Sequence, residues 1–193
     1  MSRPVVLATT GGTVWLTGLS GAGKTTVAGA LQDLLSARGL RVYLLDGDDL
    51  REALNADLGF DESDRTENVR RLGEVALLFA RFGHLAVVGA ISPYAAGRRA
   101  VRDRHLALGV RFVEVYVATP LEVCEARDPK GLYARARRGE LALFTGTSAP
   151  YEPPESPELV LTTAGTPEEA ALEVLATMQA AGLVGSALLP GTG

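Results

Sequence analysis

Short continuous apolar runs alternate along the chain with longer stretches in which apolar residues recur every three or four positions. The runs at 13–17 (TVWLT), 41–45 (RVYLL), 85–91 (LAVVGAI), 110–117 (VRFVEVYV) and 159–161 (LVL) predict strands, the first of them buried. Between the first two, residues 24–38 set Val27, Ala30, Leu31, Leu34 and Leu35 on one helical face and close on Gly39. Residues 62–82 do the same with Leu72, Val75, Ala76 and Phe79, and stop at Gly83. A basic helix at 97–108, a proline-led helix at 120–127 and a closing helix at 167–181 follow. Strand–helix alternation throughout predicts an α/β fold, a parallel β-sheet of about five strands with right-handed crossovers and helices on both faces. No repeat or interior linker breaks the pattern, so one domain is expected over 13–182, with flexible segments at 1–12 and 183–193.

Composition narrows the class. With 193 residues, 47% hydrophobic and 22% charged, the chain suits one globular domain and excludes disorder. No apolar run approaches the ~18 residues of a membrane span, and the N-terminus lacks the order of a signal peptide, so no membrane partner is expected. Cys124 is the single cysteine, which leaves no intrachain disulfide and points to a reducing, cytoplasmic setting. A net charge of −4 argues against a nucleic-acid partner while leaving room for a local anion site. Of the 19 basic residues only Lys24 and Lys130 are lysine, a hint that a compact ammonium is wanted at both places.

The residues 18–25, Gly-Leu-Ser-Gly-Ala-Gly-Lys-Thr, meet G-x-x-x-x-G-K-[ST] at each fixed position, between a predicted strand and a predicted helix. The glycines allow backbone N–H groups to form an anion nest, Lys24 reaches the β- and γ-phosphates, and the Thr25 hydroxyl is placed for Mg²⁺. A glycine-rich turn used for packing alone is the plain alternative. No N-K-x-D motif is present, which argues against a GTPase. The second strand runs into Asp46-Gly47-Asp48, carboxylates on the sheet edge where α/β folds bind ligands. That arrangement suits a small-molecule kinase.

The blocks WLTGLSGAGKTT, LLDGDDLR, LGFDESDRTENVRR, ISPY, TPLEVCEARDPKGLYARAR and FTGTSAPYEPPESPELVL carry a further signal. Together, from Trp15 to Thr163, they resemble the adenylyl-sulfate kinase (APS kinase) family in order and spacing. The resemblance implies transfer of the ATP γ-phosphoryl group to the ribose 3′-hydroxyl of adenosine 5′-phosphosulfate (APS), with ATP and Mg²⁺ as cofactors. It implies nucleotide contacts at Gly18, Ser20, Gly21, Ala22, Gly23, Lys24, Thr25, Thr26 and Arg127, with Thr25 and Asp46 toward the metal. Arg51, Arg65 and Asn68 are expected to hold the phosphosulfate and ribose, and Phe60 and Phe144 to stack on the two faces of the APS adenine. Ile91 and Ser92 are expected to line the acceptor pocket, and Lys130, Gly131 and Leu132 to form part of a lid with Arg135, Arg137 and Arg138. The catalytic set is then Lys24, Asp48, Ser92 and Lys130, Asp48 taking the hydroxyl proton; the sequence leaves the roles of Asp46 and Asp48 exchangeable.

Some family members carry a phosphoserine at the place of Ser92, but direct in-line transfer needs no covalent relay, and no histidine stands nearby in sequence. Plainer alternatives stand beside these roles: core positions for Phe60 and Phe144, surface ion pairs for Arg51 and Arg65, a solvated face for the arginine run, inert packing for Cys124. Ala95-Ala96-Gly97 precede Arg98 where many members have an earlier arginine, so one of two positive groups near the pocket is expected to be missing. Thr163 and Gly165 are expected to border the ATP base. The resemblance further implies a homodimer and a pathway neighbour, ATP sulfurylase, which a chain of this length does not include. Two rival readings are a P-loop kinase for a nucleoside, sugar acid or antibiotic, and a nucleotide-sensing module without turnover.

Overall fold

A computed structural model describes residues 11–162 and 165–185 of the chain. The elements follow in the order β1 Gly12–Thr17, α1 Lys24–Ser36, β2 Val42–Asp46, α2 Gly47–Glu52, α3 Glu62–Arg81 and β3 Leu85–Gly89. They continue with α4 Ala95–Ala107, β4 Arg111–Val117, α5 Leu121–Arg127, α6 Leu132–Arg137, β5 Leu159–Leu161 and α7 Pro167–Ala180. All five strands are parallel, in the order β2-β3-β1-β4-β5, as the alternation requires.

Alternation along β1 divides the core between the two sheet faces. Val14 and Leu16 point to the face covered by α1 and α7, where they meet Leu31, Leu35, Val174, Leu175 and Met178. Trp15 points to the other, against Leu72, Ala76, Val101 and Phe112 beneath α3 and α4. β1 is wholly buried because it is central and both faces are covered, hence its unbroken apolar run. His105 is a fully buried α4 residue whose two ring nitrogens meet Thr13 Oγ1 at 3.0 Å and Val101 O at 2.8 Å.

The expected boundaries shift in several places. The strand expected at 85–91 ends at Gly89, which frees Ala90, Ile91 and Ser92 to turn over the sheet edge. The helix expected from residue 97 begins at Ala95. Proline 120 is the N-cap of α5 rather than its first helical residue. The packed chain also exceeds 13–182: Gly12 belongs to β1, while Leu183 and Val184 are buried in the α1/α7 core. The expectations for residues 1–10, 186–193 and Thr163 lie outside the described residues.

Candidate active site

The carboxyl ends of β1, β2 and β3 open into a cleft of about 900 Å³, at the upper end of what a single small ligand needs. One wall is the loop from β1 to α1. Gly18 has φ +152° and a Cβ there would stand 2.6 Å from Val117 O; Gly23, at φ +104°, is the N-cap of α1. No side chain caps that helix, so its first amides are left for a ligand. Ser20 through Thr26 all face the cleft, whereas Gly18 shapes it from behind. Lys24 is buried and folds its ammonium onto the loop, donating to Gly18 O at 3.0 Å and Leu19 O at 2.7 Å. Burial lowers its pKa to about 8, against the opposing pull of Asp48, Cys124 and Asp46.

Asp46 ends β2 and caps α2, its Oδ1 accepting from Asp48 N–H at 2.8 Å. Its Oδ2 accepts from the Thr25 hydroxyl at 2.8 Å, which brings the two expected metal-side residues together. An exposed hydroxyl and carboxylate beside a phosphate loop fit a hard divalent cation that keeps waters and takes its other ligands from phosphates. Among the described residues no cluster of three His, Cys, Asp or Glu forms a self-sufficient metal cage. Asp48 is exposed and receives the Lys130 ammonium at 2.6 Å across the cleft, and that bond raises the pKa of Lys130. An ion pair this exposed contributes under about 1 kcal/mol and gives way readily to a ligand.

The opposite wall is built by α2 and α3. Arg51, Phe60, Arg65 and Asn68 line it, with Ile91, Ser92, Leu132 and Phe144 closing the floor and side. Both arginines hold the aromatic arms as well as facing the cleft. Arg51 Nη1 donates to Gly59 O at 2.8 Å and its guanidinium lies 4.6 Å from the centre of the exposed Phe60 ring. Arg65 donates to Phe60 O at 2.7 Å, Thr145 Oγ1 at 2.6 Å and Leu143 O at 2.7 Å, tying the Phe60 arm to the Phe144 loop. Desolvation lowers the pKa of both arginines, and in Arg51 the neighbouring Arg65 charge adds to it. Phe144 is buried and stands edge-on to Tyr133, whose hydroxyl donates to Ser20 O at 3.0 Å. Arg127 hangs over the phosphate loop with Nη1 3.5 Å from Gly21 O.

Several expectations need correction. Gly131 does not face the cleft; it is the left-handed N-cap of α6 at φ +64°. Arg135 and Arg138 pair with Glu140, and Arg137 with Glu125, so these three form an ion-paired outer face and none lines the cleft. Ser92, expected in the catalytic set, is turned into the wall: its hydroxyl accepts from Trp15 Nε1 at 3.0 Å and donates to Thr17 Oγ1 at 2.9 Å, so the protein engages it on both sides. Arg98 is no free charge either. It is buried, donating to Glu114 Oε1 at 2.8 Å, Ser92 O at 2.6 Å and Glu152 O at 2.7 Å, and it holds Ser92 at the strained φ of +41°. Tyr151, whose hydroxyl meets Thr17 Oγ1 at 3.0 Å, and Asn55, bonded to Asn68, are supports that no local motif announced. Gly165 borders the far end of the cleft beside α7.

Comparison with known proteins bears on what this cleft does. Residues 10–162 match the family model for adenylylsulphate kinase. An adenylyl-sulfate kinase of Saccharomyces pastorianus is 54% identical over 153 residues, 79% of this chain and 76% of that protein. A bifunctional enzyme CysN/CysC of Mycobacterium tuberculosis is 53% identical over 165 residues; the match covers 86% of this chain but only 27% of that longer protein. The solved structure of the Mycobacterium tuberculosis APS kinase CysC in complex with AMPPNP and APS superposes with a TM-score of 0.87 at 51% identity, covering 89% of this chain and 99% of that one. With a phosphate loop, a carboxylate pair and an arginine wall converging on one cleft, and the family model spanning β1 through β5, this chain belongs to the adenylylsulphate kinase family.

Proposed function

We propose that the chain transfers the γ-phosphoryl group of ATP to the ribose 3′-hydroxyl of APS, giving the 3′-phosphorylated product and ADP. The observation that carries this reading is the division of one cleft into two anion-binding walls, main-chain amides with Lys24 on one side and Arg51, Arg65 and Asn68 on the other. Phe60 and Phe144 supply aromatic faces for the acceptor base on the second wall. A neutral sugar or sugar acid would leave that wall facing little charge.

In the reaction the O3′–Pγ bond forms, the bond from Pγ to the β–γ bridging oxygen breaks, and the hydroxyl proton passes to a carboxylate. Asp48, exposed between the two walls, is the acceptor for that proton. Lys130 exchanges its bond to Asp48 for the transferring phosphoryl oxygens, and Lys24 moves from the loop carbonyls to the β- and γ-phosphates. Thr25 and Asp46 would hold Mg²⁺, which supplies charge neutralisation to the phosphates when bound. Arg51 and Arg65 act by orientation, fixing the acceptor in line while keeping the Phe60 arm closed over it. Ser92 and Arg98 hold the floor on which the acceptor ribose rests. A homodimer, a cytoplasmic setting and an ATP sulfurylase neighbour belong to the same reading. A longer bifunctional relative accords with a pathway neighbour.

A coupled assay with ATP and the acceptors APS, AMP and gluconate tests this. Turnover with APS alone is expected. Turnover with gluconate or AMP in its place would make the chain a different small-molecule kinase, and nucleotide binding without turnover of any acceptor would make it a sensing module. Arg51→Ala is expected to raise KM for APS by more than about threefold, and Lys24→Ala to lower kcat by orders of magnitude.

A further inference from the structure

Asn55 lies between α2 and α3 with no exposed surface. Its backbone shapes the turn, N–H donating to Leu50 O at 2.8 Å and O accepting from Leu58 N–H at 3.1 Å. Its side chain serves another purpose. Nδ2 donates to Oδ1 of Asn68 at 3.0 Å, while its own Oδ1 is, among the described residues, the one buried side-chain oxygen or nitrogen without a partner. A buried amide with an orphaned oxygen costs stability, so packing alone does not account for an asparagine here.

The gain falls on Asn68. With its oxygen taken by Asn55, the atom that Asn68 has left for the cleft it lines is Nδ2, which among the described residues has no partner and is not one of the buried orphaned atoms. An amide free to turn over would present its carbonyl oxygen as readily as its N–H₂. Beside Arg51 and Arg65, a carbonyl oxygen would repel the oxygens of a phosphosulfate.

We propose that Asn55 is a positioning residue for acceptor recognition: it locks the Asn68 amide so that the wall shared with Arg51 and Arg65 presents donors only. The ligand chemistry selected is a cluster of acceptor oxygens, anionic or ribose. The proposal rests on the reading of the acceptor given above.

A double-mutant cycle tests it. Asn55→Leu is expected to raise KM for APS about tenfold, with KM for ATP unchanged within about twofold. In an Asn68→Ala background the same substitution should add less than about twofold, because nothing is left to orient. An unchanged KM for APS, an equal rise in both backgrounds, or an equal rise in KM for ATP would overturn the proposal. A second measurement on the wild-type protein needs neither turnover nor a stable variant. The side-chain amide protons of Asn68, identified by ¹⁵N NMR through their loss in Asn68→Asp, should exchange freely with solvent in the nucleotide-free protein. Protection of one of them would mean that Asn68 is the donor and the orientation is reversed. Wild-type protein without APS turnover would count against the proposed reaction, while the exchange result would still decide the orientation.

Discussion

Lys24 sits where two demands compete. Removal from water disfavours its charge, and the phosphates it is proposed to serve would require it. In the nucleotide-free protein burial has the upper hand and its pKa falls to about 8. Below pH 8 the folded and unfolded chains both hold that proton and the cost of burying it is fully present; between about 8 and 10.5 the unfolded chain holds more protons, so this residue makes the fold more stable as pH rises. Urea midpoints at pH 7.5 and 9.5 should therefore shift upward in the wild type relative to Lys24→Met. On the proposed role ATP reverses the balance, and calorimetry at pH 8.5 in two buffers of different ionisation enthalpy should show net proton uptake on nucleotide binding. No uptake would mean that the ammonium is already charged in the empty loop. The motif around Lys24 was legible because neighbouring glycines make the nest. The commitments of Arg98, whose partners are 6, 16 and 54 residues away, were not.

Helices and strands differed in how openly the chain declared them. Buried strands announce themselves by continuous apolar runs, and α1 and α3 by three or more turns of periodicity. α2 and α6 have six residues each, too few for a period to emerge, and α6 was hidden in what read as a basic lid. Its arginines pair with Glu140 just beyond it and Glu125 on α5, rather than facing the cleft. Close packing between α3 and α4 was equally silent. A Cβ on Gly73 would stand 2.7 and 2.8 Å from the Val101 methyls. Gly73→Ala should therefore destabilise the protein by about 1–3 kcal/mol of overpacking, less up to about 1 kcal/mol of helix propensity. Adding Val101→Ala should recover part of the loss in chemical denaturation; a stabilised single variant would show that the helices separate freely.

The described residues form one parallel sheet between two apolar layers, and the layer under α1 and α7 reaches past the expected end of the domain. Leu183 is 1% exposed, and its side chain covers Gly12 at the start of β1, which explains why residues 12 and 183 both belong to the packed body. Leu183→Ala should lower stability by about 2–5 kcal/mol while leaving both KM values unchanged; a loss under about 0.5 kcal/mol would return residue 183 to a peripheral tail. By itself the sequence determined the class of sheet, the phosphate loop and the family, because periodicity and contiguous motifs express interactions between residues a few positions apart. Tertiary structure alone decided which cations face the ligand and which are occupied by neighbours. It set Arg65 across to Thr145, Arg98 under Ser92 and Asn55 behind Asn68. A polar side chain's role depends on the partner that satisfies it, and those partners meet only when the sheet edge, its helices and its loops are assembled.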